Sequence, residues 1–120
     1  MKTSSAKAKG RLLQQLVAKK LIESFPLFTE KDIRSTGMGQ SGEDVQLSQP
    51  AKNLLKIKVE CKNRAAIAVY KDYAQAETHG EGEAVLVIKQ NRSKPLAVID
   101  LDYFIQLLKR SVLHENREEL

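Results

Sequence analysis

At 120 residues the chain is long enough for one compact domain built on a single core. Hydrophobic residues make up 42%, and no apolar run approaches the ~20 residues of a membrane span, which excludes a helical membrane protein. The formal net charge of +5 suits a polyanionic partner, and the lone cysteine, Cys61, excludes an intrachain disulfide.

Residues 1–7, with Lys2 and Lys7, read as a flexible basic arm without the apolar run of a signal peptide. With the unpaired cysteine, this sets the expectation of a cytoplasmic protein. A helix is predicted from about Lys7 to Ser24, with Leu12, Leu13, Leu16, Val17 and Leu21 as its apolar stripe and Phe25-Pro26 as its stop. Thr29-Glu30-Lys31-Asp32 reads as a capped turn leading to Ile33 and Arg34. A loop of small residues, Ser35 to Gly42, follows.

Asp44 to Ser48 alternates in strand fashion, with Val45 and Leu47 on one side and Asp44 and Gln46 on the other. After a turn at Pro50, Leu55 to Lys62 alternates strictly between apolar and charged residues, the pattern of a half-buried strand. Ala65 to His79 is the next predicted helix, with Ile67, Tyr70, Tyr73 and Ala74 on one face and Gly80 and Gly82 at its end. Ala84–Lys89 is apolar enough for a central strand. Asn91 to Lys94 forms a hairpin-like turn before the strand Leu96–Ile99. A last helix starts near Asp100 and carries Leu101, Phe104, Ile105 and Leu108, with residues 113–120 as a flexible acidic tail. These elements predict an α/β sandwich around a small mixed sheet. An antiparallel pair comes first, and a crossover helix precedes the strand at Ala84.

Strand period puts Glu60 and Lys62 on one face, with Leu55, Ile57, Val59 and Cys61 on the other. Asp44 stands at the start of the preceding strand. Two carboxylates are the ligands a Mg²⁺ ion takes, and the backbone carbonyl of Cys61 offers a third oxygen. A lysine beside them acts on the attacking water or on phosphate charge. That constellation suits phosphodiester hydrolysis. His79 and His114 lie remote from Cys61 in the sequence, so no zinc site is read.

These residues resemble the PD-(D/E)xK nucleases, with Asp44 as the lone aspartate and Glu60-Cys61-Lys62 as the ExK. Arg34-Ser35-Thr36-Gly37, leading on to Asp44, narrows the resemblance to archaeal-type Holliday junction resolvases, a family also found in bacteriophages. Lys9-Gly10-Arg11 before a helix matches the family's N-terminal Lys-Gly. The resemblance covers roughly residues 9–108. It implies a restriction-endonuclease-like three-layer fold, a small mixed β-sheet flanked by helices. It also implies a Mg²⁺-dependent homodimer, with Mn²⁺ as a substitute, that nicks branched double-stranded DNA in pairs, in the host cytoplasm if the chain is phage-encoded. The family's metal-site glutamate falls at Gln14, a neutral amide. The DNA-binding residues expected are Lys7, Lys9, Arg11, Arg34, Ser35, Ser41, Lys58 and Arg64. Glu43 and Gln75 are further candidates near the metal, although Glu43 also reads as a solvated turn residue. The alternatives are a general repair or restriction-type nuclease of this fold, and a DNA-binding relative weakened at Gln14.

Overall fold

The computed structural model describes residues 3–36 and 42–119. The elements run α1 (Thr3–Ser24), β1 (Ile33–Ser35), β2 (Val45–Leu47), α2 (Gln49–Leu55), β3 (Ile57–Asn63), α3 (Val69–Glu77), β4 (Glu83–Lys89), β5 (Leu96–Val98) and α4 (Leu101–Glu119). The sheet has five strands in the order β1-β2-β3-β4-β5. Only β3 and β4 are parallel, joined by the α3 crossover, and every other pair is antiparallel. No helix among the described residues is long and apolar enough to cross a membrane.

Alternation along β3 divides the molecule into layers. Val59 and Cys61 join Leu13 and Ala18 of α1, with Ile33, Val45 and Val87, in the main core. Lys58, Glu60 and Lys62 leave from the other face, where α3 lies: Lys58 Nζ donates to the carbonyls of Glu77 (2.6 Å) and Gly80 (3.3 Å). The mixed sheet between helices is as expected.

Several boundaries differ. The first helix begins at Thr3 rather than near Lys7, consistent with the helix formers Ala6, Lys7 and Ala8. The segment after Ser48 is a helix, not a turn. Ser48 caps α2 by accepting from Ala51 N (3.3 Å), and Pro50 sits in the first turn, where its missing N–H costs nothing. Lys56 ends α2 in the left-handed region at φ 56°, so Leu55 belongs to the helix and β3 starts at Ile57. The third helix is shorter than predicted and turned. Its inward face carries Asp72 and Ala76, while Tyr70 is 92% exposed. The last helix, capped by Asp100 Oδ2 accepting from Tyr103 N (2.9 Å), continues to Glu119 through the stretch read as a tail.

Candidate active site

The two strands β2 and β3 pair only at Val45 and Val59, then diverge. Asp44 stands in the fork. Its backbone N donates to Val59 O (3.0 Å), and its carboxylate Oδ2 accepts from Cys61 N (2.7 Å), filling the ladder position that β2 has left. A residue's N–H and C=O point to the same edge of a strand, so the Cys61 carbonyl faces this opened edge as well. The base of the preceding loop is pinned next to it. Thr36 N donates to Asp44 O (2.8 Å), and Thr36 Oγ1 donates to the Glu43 carbonyl.

Glu60 projects beside Asp44 and is 4% exposed. Lys62 Nζ lies 3.6 Å from Glu60 Oε1, and His79 Nε2 lies 3.8 Å from Glu60 Oε2. Oε2 is buried and makes no hydrogen bond. Burial first, and then the charge of Asp44, push the Glu60 carboxyl up from 4.5 to about 7, against the pull of Lys62. Burial, reinforced by Asp44 and Glu60, likewise raises the Cys61 thiol, which stays protonated and serves as a core side chain.

The donor set fits a hard divalent cation. Two carboxylates stand side by side, one with a buried oxygen that makes no hydrogen bond, and a main-chain carbonyl faces the same edge. Among the described residues no group of three or more His, Cys, Asp and Glu is arranged to hold an ion. A cation here would therefore rest on Asp44, Glu60, the Cys61 carbonyl and water, a sparse set of the kind Mg²⁺ accepts.

The structure brings Asp44, Glu60, Cys61 and Lys62 together. Gln14 is half-buried on α1, and among the described residues no hydrogen bond joins it to them. Gln75 is exposed on α3, and its side chain makes no hydrogen bond to the site. Glu43 lies at the rim, its side chain packed over Gly80, whose φ of 56° and lack of Cβ admit it.

The expected DNA contacts divide. Arg34 is opposite Gln46, so it leaves from the Asp44 face of the sheet and is exposed, while Ser35 points to the α1 face. Lys7 and Arg11 are exposed on α1. Lys9 is committed to the fold: its Nζ donates to Asn91 Oδ1 (2.7 Å), and its carbonyl accepts from Asn63 Nδ2 (3.1 Å). Lys58 is likewise spent capping the α3 carbonyls. Arg64, expected among the DNA-binding residues, makes a two-pronged ion pair with Asp72 (2.8 and 2.9 Å). Ser41 and the glycine loop around it lie outside the described residues.

Sequence reasoning missed His79. It follows α3, and the crossover brings the end of that helix back beside β3, a placement that no local pattern encodes. No family model, curated protein or solved structure matches the chain.

Proposed function

We propose that this chain is a divalent-cation-dependent DNA endonuclease that acts on branched, four-way DNA as a homodimer. The observation that carries the reading is Glu60: a carboxylate buried beside a second carboxylate, with one oxygen making no hydrogen bond and a lysine near the other. Such an arrangement costs stability in a metal-free protein and suits a site that binds positive charge. A bound Mg²⁺ or Mn²⁺ supplies charge neutralisation at the phosphodiester and lowers the pKa of water. Asp44 and Glu60 would hold that ion with the Cys61 carbonyl, and Asp44 is itself oriented by Cys61 N. Lys62, half-buried at the site, offers its ammonium to the phosphate oxygens or to the attacking water. Arg34, on the same face, and Lys7 and Arg11 on α1 supply backbone contacts.

A four-way junction has approximate two-fold symmetry, so a two-fold pair of sites matches it. The sequence resemblance supports this choice over a general duplex nuclease. A DNA-binding relative without turnover is the second reading, motivated by Gln14. One assay separates the three: cleavage of a labelled four-way junction in Mg²⁺, Mn²⁺ and EDTA, with linear duplex as competitor. Cation-dependent paired nicks on the junction are expected. Equal cutting of duplex moves the assignment to a general nuclease, and binding without cutting moves it to the inactive relative.

A further inference from the structure

Beyond Tyr103, every residue of α4 from Phe104 to Asn116 is exposed. Yet the helix is strongly amphipathic. Leu101, Ile105, Leu108 and Val112 recur at intervals of four, three and four residues, and Leu101 and Val112 are 71% and 55% exposed. That is the spacing of a coiled-coil seam. Tyr103, the one buried residue among residues 101–116 of the helix, lies roughly opposite the seam at ~100° per residue. The body of the protein therefore holds α4 at its first turn, through Tyr103, and leaves the seam beyond it uncovered. Ile105, Leu108, Lys109, Val112 and Leu113 form an open, mostly apolar strip along the outer side.

We propose that this seam is a dimerisation surface and that its occupant is α4 of a second copy of the chain. Three observations select that occupant. In heptad terms the a positions are β-branched, Ile105 and Val112, and the d positions are Leu101 and Leu108, so an antiparallel copy sets each β-branched side chain against a leucine across the seam. Flanking the seam stand Asp102 and Lys109, and antiparallel pairing sets Asp102 of each helix beside Lys109 of the other. The helix is also nearly balanced in charge, with Lys109, Arg110 and Arg117 against Asp102, Glu115, Glu118 and Glu119, in a chain of net charge +5. Two basic bodies thus meet through a segment whose own charges nearly cancel. A helix made for an anionic lipid surface carries an excess of Lys and Arg on its polar face, and α4 does not.

The inference deepens the dimer in the proposed function but rests on α4 and not on the chemistry at Glu60. Sedimentation equilibrium of the full chain, without DNA or metal, over about 1 to 100 μM tests it. The expected result is a mass approaching twice 13.5 kDa. Leu108→Glu and Ile105→Lys should each weaken the dimer by more than about 30-fold, the loss of a central interface residue. Arg110→Ala, on the opposite side of the helix, should leave it intact. Asp102→Lys and Lys109→Asp should each weaken it, and the double reversal should restore it, an outcome that loss of helix does not produce. A mass of 13.5 kDa throughout, or seam variants that dimerise like the wild type, overturns the proposal. A dimer that cuts no DNA leaves this inference standing and removes the nuclease reading. Cation-dependent cutting by a strict monomer does the reverse.

Discussion

Glu60 is the residue on which the site turns. Its carboxyl titrates near 7 in the folded chain against an ordinary 4.5, so between those values the folded state keeps a proton that the unfolded chain has released. Stability of the metal-free protein should therefore fall as pH rises through that window, by up to about 3 kcal/mol. Glu60→Gln removes the effect and should melt above the wild type at pH 8 in EDTA. Added Mg²⁺ or Mn²⁺ should raise the wild-type melting temperature at pH 8 and leave the variant unmoved. Melting curves that respond equally to cation would take the metal away from Glu60. Asp44→Asn, Glu60→Gln and Lys62→Ala should each abolish most junction cleavage while binding persists, because affinity comes mainly from phosphate contacts. Filter binding beside single-turnover cleavage checks the split. Gln14→Ala, with no link to these groups, should cost less activity than any of the three. A loss as large as theirs would bring α1 into the site.

At the scale of elements, α3 is fastened to the sheet by charge as well as by apolar packing. Asp72 is 3% exposed and its partner Arg64 is half-exposed, joining the end of β3 to the first turn of the helix. Arg64→Ala leaves a buried carboxylate without its partner and should cost about 2 kcal/mol, since water reaches only part of the gap. Asp72→Asn with Arg64→Gln should recover part of that loss in urea unfolding. Lys58 serves the same helix from its other end, so Lys58→Met should lower stability and leave the salt dependence of DNA binding unchanged. The two glycines after α3 differ. A Cβ at Gly82, where φ is 106°, meets the Lys56 backbone at 2.7 Å, so Gly82→Ala should be the more damaging for stability. At Gly80 the obstacle is the flexible tip of Glu43, so Gly80→Ala should disturb the rim of the site more than the fold.

For the whole molecule, the layers separate tasks. One face of the sheet packs on α1 and builds the core, and the other carries Asp44, Glu60, Lys62 and Arg34. DNA binding should weaken steeply with salt as lysines and arginines displace counterions, and Arg34→Ala should reduce the slope of log affinity against log salt by about 1. Its effect should be uniform across sequences, since a phosphate contact reads no base. An unchanged slope would place the DNA elsewhere on the surface.

Strict alternation in β3 was enough to place Glu60 and Lys62 on one face and Val59 and Cys61 on the other. The second alternating run was enough to place Asp44 at the start of the strand that precedes β3. Periodicity reports only which residues share a face, however, so it mistook the Pro50 helix for a turn and the exposed Tyr70 for part of a packed stripe. The partners of charged residues were equally out of its reach. Lys9, Lys58 and Arg64 looked like phosphate ligands because a sequence shows a cation and not the carbonyl or carboxylate that holds it. His79 was passed over because its neighbour Glu60 is distant along the chain and close only through the α3 crossover. Backbone chemistry thus fixed the strands and their faces locally. The pairing of buried charges, and the outward turn of the α4 seam, were decided by tertiary packing, because both depend on which elements cover each other and which are left in water.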